Sequence, residues 1–237
     1  MKRAAIALAS LSALALVACQ NADEVASQQA PPAPMPAAEM PPAAAEPEPA
    51  PSAAAQGPQT TAEASLLSEP QWVVLFAGQD LSSFDTVGDV EWGIVEDYVE
   101  SEGGTASFLV TRGAYTDFLL HAEFWTNPEA NSGIFLRCQN PEQPNAEICY
   151  EVNIFDQNPN PDNRTGAIIN HVPPMANIEA ANQWNTFEIT AQGPRIEVRL
   201  NGTLTAELED DELASGPIGF QNNGGLVRFR NIRLRPL

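Results

Sequence analysis

Between Asp117 and Trp125 apolar and polar side chains alternate. Phe118, Leu120, Ala122 and Phe124 point one way, and Leu119, His121, Glu123 and Trp125 the other, the period of a half-buried strand. Two further strands are predicted, Ser132 to Cys138 and Cys149 to Phe155, each with a charge among apolar neighbours: Arg137 between Leu136 and Cys138, Glu151 between Tyr150 and Val152. If the three strands share one sheet, His121, Glu123, Trp125, Arg137, Glu151 and Asn153 converge on one face. Acids, a guanidinium and an aromatic ring on a sheet face have the composition of a sugar site. Charged residues are equally the pattern of the solvent side of any antiparallel sandwich. An unpaired charge inside an apolar strand is costly, so Arg137 and Glu151 need either a partner or a function.

The rest of the chain reads as further short strands. Trp72 to Phe76 is an apolar run ending at Gly78, followed by Val90 to Val95, Tyr98 to Ser101 and Ser107 to Thr111, with Glu96-Asp97 and Gly103-Gly104 as breaks. A polar, proline-rich loop from Gln157 to Thr165 leads to a short Gly166 to Asn170. Thr186 to Ala191 and Arg195 to Leu200 alternate, and Asn201-Gly202, whose residues both tolerate positive φ, joins the second to TLTAEL as a hairpin. Pro217 to Gln221 and Leu226 to Leu234 come last, the latter changing parity near Arg230-Asn231 as a bulge would cause. Many short strands without a convincing helix predict an all-β sandwich, a jelly roll, from about Leu66 to Leu237.

The N-terminal part is different in kind. Residues 1–18, with Lys2 and Arg3 ahead of an apolar stretch from Ala4 to Val17, read as an export signal rather than a spanning helix. Its end, Leu16-Val17-Ala18-Cys19, resembles a bacterial lipoprotein cleavage box, which implies a lipidated Cys19. Gln20 after the cysteine implies, by resemblance to Gram-negative lipoproteins, an outer-membrane destination facing the periplasm or the cell surface. From Gln20 to Ala64, 25 of 45 residues are Ala or Pro with no aromatic, too little apolar surface to fold. Residues 19–65 are therefore expected to be a tether, reaching roughly 140 Å at about 3.1 Å per residue.

The net charge is −20 for the chain, and from Leu66 on 9 Arg, no Lys and 25 Asp plus Glu leave about −16, which argues against a nucleic-acid or anionic-membrane footprint and leaves the lipid anchor as the expected membrane contact. The run Glu209-Asp210-Asp211-Glu212 lacks calcium-loop spacing and reads as a solvated turn. Cys138 and Cys149 remain once Cys19 is set aside. In an exported protein, at the facing ends of consecutive strands, they are expected to pair as a structural disulfide.

In the order WVVLFAGQDLSSFD, DFLLHAEFW, NSGIFLR, YEVNIFD, RTGAII, QWNTFEITAQGPRIEVRLNG, GPIGFQNNG and FRNIRLRPL, the segments from Gln71 to Leu237 resemble the 3-keto-disaccharide hydrolases, also described as 3-keto-glucoside lyase/hydratases. The resemblance implies a concanavalin-like, lectin-like jelly roll acting on an oxidised glycoside. A carbonyl at C3 acidifies the C2 proton, so a base can remove it, the C1 oxygen can leave and water can add. Such a site needs a base, an acid and a partner for the enolate. Glu123 and Glu151 are the candidates for proton transfer and Arg137 for holding the enolate. Asn153, Asp156 and Gln221 are candidates for hydroxyl binding, His121 for an added proton-transfer or binding role, and Trp125 for stacking on a ring. No cofactor is implied. No Cys/His/carboxylate spacing reads as a metal site, although carboxylates with a histidine can hold a hard divalent ion.

Where many relatives have Asp-His-Gly after the strand ending at Gln221, this chain has Asn222-Asn223-Gly224. Asparagine exchanges no proton near neutral pH. The histidines are His121 and His171, the latter expected in a loop before Pro173-Pro174. Trp184, Asn185, Arg230 and Asn231 are expected to be structural. Three readings follow: a lipid-anchored enzyme cleaving 3-keto-glycosides, a carbohydrate-binding module of the same fold without catalysis, and an envelope lipoprotein that binds protein partners.

Overall fold

Alternation along each strand builds two facing sheets. The computed structural model describes residues 71–237; the signal segment, the lipidated Cys19 and the Ala/Pro-rich tether expected from the sequence lie outside the described residues. The strands are β1 (Val73–Phe76), β2 (Phe84–Val87), β3 (Gly93–Val95), β4 (Tyr98–Glu102), β5 (Ser107–Thr111), β6 (Phe118–Thr126), β7 (Ser132–Leu136), β8 (Tyr150–Ile154), β9 (Asn185–Gln192), β10 (Arg195–Leu200), β11 (Thr203–Glu209), β12 (Gly219–Asn222) and β13 (Leu226–Pro236). A single 3-10 turn, Pro161–Asn163, interrupts the loop after β8. One sheet has eight strands in the order β11-β10-β9-β6-β13-β4-β3, with β1 also paired to β13; the other has five, β2-β5-β12-β7-β8. All named pairings are antiparallel, and the architecture is a jelly-roll sandwich.

The core lies between the sheets. Phe118, Leu120, Ala122 and Phe124 of β6 are fully buried and meet Ile134, Val152 and Phe220 from the smaller sheet in one cluster. Phe220 and Phe229 cross between the sheets edge to face, with ring centroids 5.3 Å apart. Fully burying each such side chain stabilises by about 1.5–3 kcal/mol. The Asn201-Gly202 hairpin has φ of 51° and 80°, as the turn chemistry of that dipeptide requires.

The last strand carries the parity change foreseen at Arg230-Asn231. Asn231 has φ 48°, and the register of β13 against β6 shifts between Arg230 and Arg233. Val227 and Phe229 before the shift, and Ile232 and Leu234 after it, therefore all face the core. Arg228, Arg230, Arg233 and Arg235 are all turned outward. Strand β2 leaves little trace in the sequence, since FDTV contributes only one inward residue, Phe84. The expected strand from Gly166 to Asn170 is reduced to single bridges of Ile168 with Val152 and Val172.

The three central strands do not share a sheet. β6 pairs with β9 and β13 in the larger sheet, while β7 and β8 pair with each other in the smaller one. Alternation fixes which residues share a face of their own strand, and says nothing about which sheet the strand joins.

Cys138 and Cys149 are bonded, with Cα atoms 4.3 Å apart and a sequence separation of 11. The loop they close folds back so that Pro144 lies against the smaller sheet at Gly219. Replacing both cysteines by serine is expected to lower stability by about 2–3 kcal/mol, read as a shift in the denaturant midpoint.

Candidate functional site

The outer face of the five-stranded sheet holds the first of two polar groups. Register places Val87, Phe108, Gln221, Gly133 and Asn153 side by side in one row across the strands. The next row is Asp85, Val110, Gly219, Phe135 and Glu151. Gly133 leaves a gap in the first row, and the Glu151 side chain leans into it: a Cβ on Gly133 would stand 3.1 Å from Oε1 of Glu151. The carboxyl therefore lies between Gln221 and Asn153, whose strands flank that of Gly133 about 5 Å away on either side.

Glu151 is half-buried and has no cation within ion-pair distance among the described residues. Burial alone pushes its carboxyl up to about 7, into the range where a proton is gained and lost near neutral pH. Gln221 has a buried side-chain oxygen with no hydrogen-bond partner in the protein. Buried polar atoms are rarely left so, and this one can accept from a ligand. The Asn153 amide donates to the Asn163 carbonyl, which ties the loop after β8 down beside the carboxyl. On the same sheet face, a cleft of about 480 Å³ opens between β2, β5 and the disulfide loop, lined by Val87, Val110, Arg112, Pro141 and Pro217 among others.

The second group lies on the outer face of the larger sheet. Glu123 accepts from Nε of Arg230 at 2.7 Å and from the Asn231 amide at 2.8 Å. Burial draws its carboxyl upward, but those hydrogen bonds and the Arg230 charge outweigh it and hold it below the usual range. His121 sits 3.2 Å from the Asn231 amide, and burial followed by the Arg233 charge depresses its imidazole against the opposing pull of Glu123. Trp125 is covered by Arg228, 4.7 Å from the ring centroid, and Trp184 by Arg230 at 4.0 Å. A pocket of about 390 Å³ between Ala77, Asp97, Glu123, Arg230 and Asn231 lies here.

Two expected site residues serve the fold. Arg137 is 1% exposed, and its guanidinium donates to the carbonyls of Thr116, Gly193 and Leu213 while standing 3.4 Å from Asp117. Its φ of 52° turns the side chain away from the outer face that β7 otherwise presents. Asp156 accepts from the Thr165 hydroxyl at 2.5 Å and from the backbone N–H groups of Ala180 and Ala181 at 2.7 and 2.8 Å. Both its oxygens are committed to holding loops.

The expectation of one shared face is thus corrected. Glu151, Asn153 and Gln221 are together on the smaller sheet. His121, Glu123 and Trp125 are together on the larger one, with the core between the two sets, and Arg137 and Asp156 belong to neither. The sequence signal for the Glu151 site is Gly133 itself, since an isolated glycine inside a strand marks a close approach. A tie between Asp210 and Tyr150, sixty residues apart, leaves no local signal in the sequence. The tyrosine hydroxyl donates to the Asp210 carboxylate and accepts from the Leu213 N–H, and His171 stands 3.9 Å from the same carboxylate. Burial, reinforced by that carboxylate, pushes the phenol up to about 12. Among the described residues, no three His, Cys, Asp or Glu side chains gather as a metal-ligand set.

The family model described as the 3-keto-alpha-glucoside-1,2-lyase-like domain matches residues 71–235. The chain belongs to this family. Two solved structures of proteins from Parabacteroides distasonis, proposed as glycosyl hydrolases, superpose on it. One has a TM-score of 0.62 at 18% identity, over 70% of this chain and 94% of that one. The other has a TM-score of 0.60 at 25% identity, over 70% of this chain and all of the other (100%). The carbohydrate-binding module CBM66 from Bacillus subtilis shares the fold, with a TM-score of 0.50 at 13% identity over 71% and 97% of the two chains. No curated protein matches the chain. Membership of the family gives the class of function, a glycoside-related role that is hydrolytic or carbohydrate-binding.

Proposed function

We propose that the chain cleaves 3-keto-glycosides on the outer face of the five-stranded sheet, with Glu151 as the acid–base group. The observation that carries this reading is the Glu151 carboxyl itself. It is pushed up to about 7 by burial, without a cation, and leans over a glycine between two side-chain amides. A general base works best when its pKa lies near the working pH. Glu123, held ionised by Arg230 and Asn231, lacks that property.

In the reaction, ionised Glu151 takes the C2 proton made acidic by the C3 carbonyl, and negative charge develops on the C3 oxygen. The amides of Gln221 and Asn153 are the groups placed to hydrogen-bond the substrate oxygens around it. The C1–O bond then breaks. Water protonates the departing oxygen, the resulting hydroxide adds at C1, and Glu151 returns its proton to C2. The balance is one glycoside and one water converted into a free 3-keto sugar and an alcohol. The proposal includes the envelope location, with the domain held by Cys19 and its tether.

The experiment is incubation with a 3-keto-glucoside carrying a chromogenic leaving group, with and without EDTA, followed by absorbance and by calorimetry. Release of the chromophore supports the enzyme. Binding heat without release leaves the carbohydrate-binding module and points to Asn223, exposed just after β12 at the position where the family resemblance implies a histidine. A smaller change tests the placement of the carboxyl. Gly133→Ala puts a methyl group 3.1–3.2 Å from the Glu151 side chain and 3.2 Å from the Val152 carbonyl. The carboxyl has to swing aside, so turnover is expected to fall at least tenfold, while the thermal midpoint stays close to that of the parent.

A further inference from the structure

We propose that Arg233 and Arg235, gathered around Trp72 on the outer face of the eight-stranded sheet, bind a phosphate group. The bulge at Arg230-Asn231 turns both side chains outward, and as residues two apart on one strand their Cα atoms lie about 7 Å apart. Their guanidinium carbons stand 4.8 and 5.7 Å from the Trp72 ring centroid. Both guanidinium groups are within cation–π range of the one indole, which limits the positions they take.

What separates this pair from most of the other arginines is the lack of an acid; Arg164, which also has no carboxylate within 4 Å among the described residues, instead donates its Nε to the Asn158 carbonyl. Arg112, Arg137, Arg195, Arg199, Arg228 and Arg230 each have a carboxylate within 4 Å. Arg233 and Arg235 have none among the described residues, and the Nε of each is buried without a hydrogen-bond partner. In a protein of net charge −20, two adjacent cations left without a carboxylate form a local positive site against an acidic background. His121 is paired with Arg233 on the adjacent strand β6, and burial, followed by that charge, depresses its imidazole.

The guanidinium fork fits planar pairs of oxyanion oxygens. A carboxylate saturates one fork with its two oxygens, whereas a tetrahedral phosphate has oxygens enough to meet both. The patch is open: Trp72 is 38% exposed and Val74, paired with Arg233, is 59% exposed. A tryptophan beside arginines also suits the headgroup level of a bilayer, so the phosphate can belong to a soluble molecule or to a lipid.

The test uses the full chain and four variants: Trp72→Phe, Arg112→Gln, Arg235→Gln, and the double variant Arg233→Gln/Arg235→Gln. Tryptophan emission is followed during titration with inorganic phosphate at constant ionic strength, chloride replacing phosphate in the control. Cosedimentation is then measured with vesicles of phosphatidylcholine alone or mixed with phosphatidylglycerol. The expected result is a saturable emission change with phosphate in the parent and in Arg112→Gln, absent in Trp72→Phe, with affinity at least tenfold weaker in the double variant. Should the double substitution disturb the sandwich, seen by circular dichroism, Arg235→Gln gives the same reading with a smaller loss. Cosedimentation with the phosphatidylglycerol vesicles that follows the same variants makes a lipid headgroup the source; its absence beside a phosphate response makes the source a soluble phosphate. No saturable change, or one the folded Arg235→Gln and double variants retain in full, overturns the site.

Discussion

Glu151→Gln is expected to lower release from a chromogenic 3-keto-glucoside by about 10²–10⁴-fold, the range for removal of a positioned acid–base group. Glu123→Gln is expected to leave turnover within a few-fold, because that carboxylate is bound by Arg230 and Asn231 on the other side of the sandwich. In the parent, kcat/KM should rise with pH through an inflection near the value of about 7 set by burial of Glu151. The same substitution has a stability signature of known sign. A carboxyl raised from 4.5 to about 7 binds its proton more tightly folded than unfolded. Its ionisation therefore penalises the folded state progressively between those two values and fully above the upper one. The glutamine variant should match the parent below pH 4 and be more stable at pH 8, by up to about 3 kcal/mol. Denaturant titrations at the two pH values check this. Lost activity without the gain at pH 8 would count against a burial-raised carboxyl, and unchanged activity would remove Glu151 from the mechanism.

Arg137→Met should cost about 3–5 kcal/mol, the usual scale for removing one partner of a buried charged network. The loss comes from three carbonyl acceptors, those of Thr116, Gly193 and Leu213, which lose the guanidinium donor, and from the Asp117 carboxylate, which keeps the Gly193 N–H but loses its neighbouring cation. In a domain of this size it corresponds to a fall of about 10 °C in thermal midpoint. Arg137→Lys should recover little, since one ammonium cannot reproduce a planar fork that reaches three loops. Activity per folded molecule should be unchanged in both variants. A fall in kcat with full stability would instead return Arg137 to the enolate-binding role that its place in the NSGIFLR segment suggests.

The contrast between the two carboxylates marks where reading the sequence ends. Both occupy the polar parity of a well-alternating strand, and nothing local distinguishes them. Their difference comes from neighbours far away in sequence. Arg230 and Asn231 reach Glu123 across more than a hundred residues because β13 lies next to β6. Glu151 instead meets Gly133 on the adjacent strand and no cation among the described residues. Arg137 was legible as a buried charge needing partners, but not as one turned around by a positive φ to bind three loops.

The sequence by itself determined the all-β class, most strand positions, the hairpin at Asn201-Gly202, the bulge at Arg230-Asn231 and the family. Each of these is written in short-range periodicity, turn chemistry or ordered motifs. Only the tertiary structure decided that β6 belongs to one sheet and β7 and β8 to the other, and hence that the expected site divides in two. Pairing between strands is set by long-range packing of two apolar faces. A period of two along one strand fixes its own faces and leaves its neighbours undetermined.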